Sequence, residues 1–154
     1  MAAINQQTLP ASALLLVLLL AASQPLFEGE WKFMKTWDDD SNYLRDEADL
    51  LFTSLEPERL WRMLTTIRIN VYEPAAWLFK AVVYAACGLD ARSFRIASLL
   101  VHWLNSCLIA SISQTLLEVA STSAQPSRWH WTIGSFVGAA LFAVHPLHCE
   151  VIGW

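Results

Sequence analysis

The sequence has few charged residues. Asp, Glu, Lys and Arg make up only 16% of its 154 residues, whereas 55% are hydrophobic. A soluble domain of this length carries more charge, so the balance predicts an integral membrane protein. Basic residues are outnumbered by acidic ones and the net charge is −4. This argues against a nucleic-acid partner, which needs a basic face.

Cysteine is also scarce. Cys87, Cys107 and Cys149 are far apart and lie in or beside apolar segments. Their spacing fits neither a disulfide framework nor a metal knuckle. We expect them to be small buried apolar side chains.

The first apolar run, Ala11 to Ala22, has no Lys or Arg before it and is shorter than the roughly 20 residues of a transmembrane helix. Small residues at its end suit signal-peptide cleavage. Extended to Ile4 or Phe27, the run becomes an uncleaved first transmembrane helix, which we favour for residues 1–27. Either alternative places the following residues on the lumenal or extracellular side.

Residues 28–71 are the polar part of the chain and contain three consecutive carboxylates, Asp38, Asp39 and Asp40. Adjacent carboxylates repel each other. Such a cluster persists where it is solvated, where a cation neutralises it, or where one carboxylate acts as a base with a raised pKa. We expect a lumenal acidic loop, and a merely solvated loop is the simpler alternative.

A short amphipathic helix is predicted near the end of this loop, with Ser54 before it, Pro57 just inside and Glu58 in its first turn. Its two sides are apolar (Leu60, Trp61, Met63, Leu64, Ile67) and basic (Arg59, Arg62, Arg68). The pattern is typical of a helix on the membrane surface. Packing on neighbouring helices is compatible with it.

Residues 72–154 contain three apolar segments, which begin near Pro74, Phe94 and Trp129. Lys80 lies in the first, where it either lines a cavity shared with the acidic loop or extends to the interface. Arg92 and Arg95 flank the start of the second segment and indicate a cytosolic turn. Together with residues 1–27, these segments predict an all-α, multispanning membrane protein with about four spans and one or two surface helices in the first lumenal loop.

Polar groups recur in the last two segments. His102 and Ser106 share one helical face, with Asn105 beside them, and we expect hydrogen bonds from helix to helix. The run from His145 to Glu150 has two His and a Glu, which are costly at membrane depth unless they have a function. Pro146 breaks or kinks the helix there. Metal binding by His145 and His148 is one interpretation, and a structural polar cluster is the other.

Small residues in the last segment allow close helix packing: Gly134, Ser135, Gly138, Ala139 and Ala140. The sequence ends at Trp154 inside an apolar segment. We therefore interpret it as the N-terminal part of a longer protein.

Three blocks, in their order, resemble the tetratricopeptide-repeat transmembrane O-mannosyltransferases, multispanning glycosyltransferases of the GT-C class. The first block is Phe33–Asn42, with its Trp-Asp-Asp-Asp sequence. The second is Tyr72–Asn105, with Pro74, the Gly-Leu-Asp turn and the sequence Leu-Leu-Val-His-Trp-Leu-Asn. The third is Ala140–Trp154, similar to the family's His-Pro-x-His-x-Glu element.

The resemblance implies a GT-C-like bundle in the endoplasmic reticulum membrane that transfers mannose from dolichyl-phosphate mannose to Ser or Thr of lumenal proteins. Asp38 and Asp39 would be catalytic. The substrate-binding residues would be Lys80, His145, His148 and Glu150, and Arg62 or Arg68 could assist Lys80 at the donor phosphate. A divalent cation, if one is used, would be bound by Asp39 and Asp40.

The sequence departs from the family at Glu73, Arg95 and Ser98, and it contains no tetratricopeptide repeats. Simple alternation of the spans also places His145–Glu150 on the side of the membrane away from Asp38. A re-entrant last segment, a miscounted helix or a structural motif would each resolve this conflict. The alternative function is a non-catalytic membrane scaffold, a truncated relative without transferase activity.

Overall fold

The structure is a computed structural model that describes residues 8–28, 51–67, 70–120 and 128–148. The regular structure in these ranges is helical, so the all-α prediction is confirmed for them. The helices are α1 (Thr8–Ala22), α2 (Gln24–Phe27), a 3₁₀ turn (Leu51–Thr53), α3 (Pro57–Thr65), α4 (Pro74–Cys87), α5 (Ala91–Ala120) and α6 (Arg128–Ala143).

The chain divides into two compact units. We call residues 30–97 the middle unit, and residues 1–29 with 98–153 the terminal unit. Helix α5 contributes its first residues to the middle unit and the remainder to the terminal unit.

Helix α3 of the middle unit begins at Pro57, where its fixed φ and missing N–H suit the first helical position. The N-cap residue is Glu56, whose side chain makes no capping bond. The side chain of Ser54 lies outside the helix, and its Oγ accepts a hydrogen bond from the Glu56 N–H at 3.1 Å. Helix α3 ends at Thr65, so Ile67 follows the helix instead of extending its apolar side.

The core of the middle unit is built around Phe52. Its ring lies 6.3 Å from Trp77, 5.9 Å from Tyr84 and 6.0 Å from Phe94, measured between centroids. Met63 of α3 packs into the same cluster and is fully buried. Aromatic pairs at these separations add to the hydrophobic gain from burial. The 3₁₀ turn, α3, α4 and the start of α5 are therefore joined by one apolar core.

The boundary between α4 and α5 is set by two residues. Gly88 follows α4 with φ +69°, a left-handed conformation that other residues rarely adopt, and its N–H donates to the Tyr84 carbonyl at 2.7 Å. Asp90 then caps α5, since its Oδ2 accepts hydrogen bonds from the Ser93 N–H at 2.9 Å and from Ser93 Oγ at 2.6 Å. These bonds hold the pKa of Asp90 below its ordinary value.

The terminal unit is formed by α1, α5 and α6, and α1 packs against α6. Each helix buries residues four apart along one face: Leu15 and Leu19 on α1, His102 and Ser106 on α5, and Ser135, Ala139 and Ala143 on α6. Ser23, directly after α1, is buried as well. The small residues of α6 allow close approach, as the sequence predicts. Gly134 and Gly138, however, lie on the exposed side of that helix.

Among the described helices, α5 alone is long and apolar enough to cross a membrane, with 30 residues. Aliphatic side chains four apart form an exposed row along it: Leu100, Leu104, Leu108, Ile112 and Leu116, each at least half exposed. The other apolar helices, within residues 11–22, 74–87 and 132–143, are shorter than the length needed to span. Cys87 is exposed at the end of α4, contrary to the expectation that it is buried.

Candidate functional site

Three histidines of the terminal unit gather where α6 ends. His102 comes from α5, whereas His145 and His148 come from the turn after α6. The ring centroids of His102 and His148 are 4.6 Å apart, and those of His145 and His148 are 5.9 Å apart. Phe142 closes one side, 4.5 Å from His148 and 5.3 Å from His102. We call these four residues the histidine cluster.

The position of His102 is fixed by a hydrogen bond. Its Nε2 lies 3.0 Å from the carbonyl oxygen of Ala143. A carbonyl only accepts, so Nε2 carries the hydrogen and donates it. The Ala143 carbonyl belongs to the last turn of α6, where helical partners run out and an imidazole N–H is a favourable substitute. Ser106 reinforces the same face, because its Oγ donates to the His102 carbonyl at 2.9 Å.

The turn after α6 follows from Pro146, which has no N–H to continue the helix. The His145 N–H donates to the Phe142 carbonyl at 3.3 Å, and the His148 N–H donates to the His145 carbonyl at 2.9 Å. His145 Nδ1 accepts from the Leu147 N–H at 3.3 Å. The chain therefore reverses within a few residues and returns His148 to the face of His102.

His148 has a buried ring nitrogen with an open hydrogen-bonding position. Its Nε2 is enclosed and makes no hydrogen bond to any described residue. A buried imidazole nitrogen gains by pairing, since an unpaired one forfeits its bond to water. The cluster thus encloses one polar atom among aromatic rings, and a hydroxyl or an oxyanion of a ligand could reach it only after a local rearrangement.

The structure brings together two of the predicted site residues, His145 and His148, and adds His102 and Phe142 to them. His102 makes the helix-to-helix hydrogen bond expected from its place in an apolar segment. Phe142 was missed. Spacing gives no signal for it, because His145 and His148 follow α6 and do not continue its helical register.

Lys80 belongs to the middle unit, where its Nζ lies 5.0 Å from the ring centroid of Trp77, three residues earlier on α4. This cation–π contact gives the ammonium a favourable position over a buried indole. Asp38, Asp39, Asp40, Arg68 and Glu150 lie outside the described residues. Within the described ranges, no group of three or more His, Cys, Asp or Glu side chains is arranged to hold a metal ion.

The chain matches no protein-family profile, no characterised protein and no solved structure.

Proposed function

We propose that this chain is part of a membrane glycosyltransferase, which transfers mannose from dolichyl-phosphate mannose to Ser or Thr hydroxyls of proteins in the lumen of the endoplasmic reticulum. The observation that carries the proposal is the contact between His102 and His148, 4.6 Å between centroids. It joins two of the sequence blocks that resemble the O-mannosyltransferases. His102 and His148 are 46 positions apart in the sequence and meet in the histidine cluster, in which His102 is buried.

The depth of the histidine cluster supports a role within a membrane. His102 is paired with Ala143, and Gly134 lies beside Leu117, so α5 and α6 run antiparallel. At 1.5 Å per residue, His102 is roughly 27 Å from the Ala120 end of α5 and about 16 Å from the Ala91 end. If α5 crosses a bilayer with a hydrocarbon core of ~30 Å, the cluster is inside it.

The turn at Pro146 is also relevant to the question of which side of the membrane the residues His145–Glu150 face. Helix α6 has 16 residues, roughly 24 Å, which is short of a full crossing. A re-entrant α6, which enters from the lumen and reverses at Pro146, would return the chain to the side of Asp38. Such an arrangement would remove the conflict that simple alternation creates for the multispanning GT-C-like bundle we propose.

The roles proposed for the side chains follow from the chemistry of the transfer. A weak hydroxyl nucleophile needs a base within reach of its proton, and Asp38 or Asp39 would take it while its neighbour orients the group. As the hydroxyl oxygen attacks the anomeric carbon, the bond to the donor phosphate breaks, and Lys80 with Arg62 or Arg68 would stabilise the departing phosphate. His145, His148 and Glu150 would bind the acceptor or shape its site. Any divalent cation would be held by Asp39 and Asp40.

A transfer assay tests the proposal. The expressed protein is reconstituted in vesicles with dolichyl-phosphate mannose and a Ser/Thr-rich acceptor peptide. The amount of mannosylated peptide is then measured. We expect transfer by the wild type and a loss of at least about 100-fold in Asp39→Asn, the usual minimum for removing a general base. His148→Gln should lower transfer less, because a glutamine retains a hydrogen-bonding group.

Asn105→Gln is the matched control, since Asn105 is exposed beside the cluster and should leave transfer unchanged. A wild type that inserts and folds but transfers no mannose, from dolichyl-phosphate mannose or from other lipid-linked hexoses, would contradict the proposal. In that case a membrane scaffold becomes the better account of the chain.

A further inference from the structure

Helix α3 has a wider apolar arc than its core uses. At 100° per residue, its buried and half-buried side chains Arg59, Leu60 and Met63 cover one side. Leu64 lies next to that side on the helix surface and Trp61 follows it, farther from Met63; they are 42% and 67% exposed. The sequence predicts one apolar face that contains Leu60, Trp61, Met63 and Leu64, whereas the structure splits it into a packed part and an open part and half-buries Arg59 beside the packed part.

The open part continues beyond the helix. Ile67 is 67% exposed, and Tyr72 is 59% exposed with its hydroxyl donating to the Leu64 carbonyl at 2.8 Å. That bond holds the Tyr72 ring beside the end of α3. Trp61, Leu64, Ile67 and Tyr72 therefore form one exposed apolar surface, which we call the open flank.

We infer that the open flank is a membrane-docking surface that inserts into the interfacial layer of a lipid bilayer, with Trp61 and Tyr72 at the boundary between head groups and acyl chains. This combination of aromatic and aliphatic side chains is typical of segments that lie in that layer, because Trp and Tyr have an apolar body and a polar edge.

The charges beside the flank indicate how it binds. Glu58 and Arg62 are exposed on the helix side away from the core, where both can remain in water. Glu56, Glu58, Arg59 and Arg62 are the charged residues from the N-cap to the end of α3, and their formal charges cancel. Docking is thus driven by insertion of apolar side chains, with little contribution from attraction to anionic lipids.

A bilayer fits the flank better than a second copy of the chain does. Four side chains expose at most a few hundred Å² together, less than the ~800 Å² that each partner of a stable protein complex buries. The chain also carries α5, a candidate span, and a chain anchored in a bilayer meets that surface at high effective concentration.

Spin labels on the full chain in vesicles test the inference. In a background with Cys87, Cys107 and Cys149 replaced by Ser, a nitroxide is attached at Leu64→Cys, and the matched control is Arg62→Cys on the same helix. Collision rates with dissolved oxygen, which concentrates in lipid, and with a water-soluble nickel chelate are measured by electron paramagnetic resonance. Vesicles of phosphatidylcholine are compared with vesicles that also contain phosphatidylserine.

We expect the label at position 64 to collide mainly with oxygen and the label at position 62 mainly with nickel, in both kinds of vesicle. Two results would overturn the inference: strong nickel collision at position 64, which means water, or weak collision with both reagents, which means cover by protein. A label at Leu108→Cys in α5 separates this failure from a failure of membrane insertion. If position 108 collides with oxygen and position 64 does not, only the docking surface is refuted.

Discussion

The two units bury their apolar residues in different ways. The middle unit has a core of large side chains, in which Phe52, Met63 and Trp77 are at most 2% exposed. The terminal unit buries mainly small or polar residues on α5 and α6, among them Ser106, Ser135 and Ala139. Many of the larger aliphatic side chains of α5, such as Leu104 and Leu108, are more than half exposed, whereas Leu15 and Leu19 of α1 and Leu99 of α5 are buried.

This difference shows where the driving force for folding comes from in each unit. Large side chains removed from water give the middle unit a hydrophobic core of its own. Small residues bring helices close but bury little apolar area, so they are most effective where lipid surrounds the helices and van der Waals packing and hydrogen bonds hold them together. If the terminal unit is embedded in a membrane, as we propose, the exposed row on α5 is the surface that lipid would cover.

Removing the largest buried side chain tests whether the middle unit is stabilised by its hydrophobic core. Trp77 is fully buried, and Trp77→Ala should lower the free energy of unfolding by about 3–5 kcal/mol through lost burial and the cavity left behind. Thermal unfolding of the reconstituted chain, followed by circular dichroism, measures it. Val82→Ala on the same helix is the control, since Val82 is 61% exposed and should change stability by ~0.5 kcal/mol or less.

In the terminal unit, the loss of one buried hydrogen bond should lower the stability more than the few atoms involved suggest. His102→Leu removes the donor to the Ala143 carbonyl, and we expect a loss of about 1–3 kcal/mol because that carbonyl stays buried without its partner. Protease susceptibility of the segment after Ala143 reports the same change locally. Asn105→Leu, at an exposed position of the same helix, should have no such effect, and equal losses in both variants would contradict the assigned hydrogen bond.

The turn between α4 and α5 should depend on the conformation of Gly88. An added Cβ meets no atom within 4 Å there, so Gly88→Ala tests backbone strain alone. With φ at +69° and ψ at −163°, a region essentially restricted to glycine, the substitution should destabilise the chain by roughly 1–3 kcal/mol. Gly138→Ala is the control, because it also meets open space but lies in a regular helix. There the substitution should be neutral or slightly stabilising.

The smallest effect is expected at Asp90. Because the Ser93 hydrogen bonds keep its pKa in the folded chain below the unfolded value, the ionised form stabilises the start of α5 at neutral pH. That contribution decreases as the pH falls below the unfolded pKa and is lost once the pH passes below the folded one. The thermal midpoint of the wild type should therefore fall towards that of Asp90→Ala in acid. If the difference in thermal midpoint between the wild type and Asp90→Ala stayed constant as the pH fell, the result would contradict stabilisation of α5 by the ionised form of Asp90.

Much of the helical structure can be predicted from local signals. Pro57 and Pro74 mark the starts of α3 and α4, and Gly88 marks the end of α4, because proline and glycine act through their own backbone geometry. The apolar segment predicted from Phe94 lies within α5, and the helix itself begins earlier, at Ala91, because Asp90 and Ser93 form a cap that periodicity does not show. The division of the apolar side of α3 was also missed, since periodicity does not tell which part of an arc meets the core.

The sequence predicts individual residues of the candidate site but not how they come together. Each of His102, His145 and His148 can be recognised separately, because a polar side chain in an apolar segment has a free-energy cost that is unusual without a function. Their meeting depends on the antiparallel pairing of α5 and α6 and on the reversal at Pro146, which no local pattern encodes. The acidic cluster Asp38–Asp40 and Glu150 lie outside the described residues, so their catalytic and binding roles stay predictions.

The most direct test of the account is photolabelling of α5 by lipid. The full chain is reconstituted in phosphatidylcholine vesicles that contain a lipid with a diazirine in its acyl chain, irradiated, and mapped by mass spectrometry. We expect labels on the exposed row at Leu104, Leu108 and Ile112, and none on His102 or Ser106, which are buried. An unlabelled row, or equal labelling of both faces of α5, would contradict a membrane-embedded terminal unit and the transferase proposed from it.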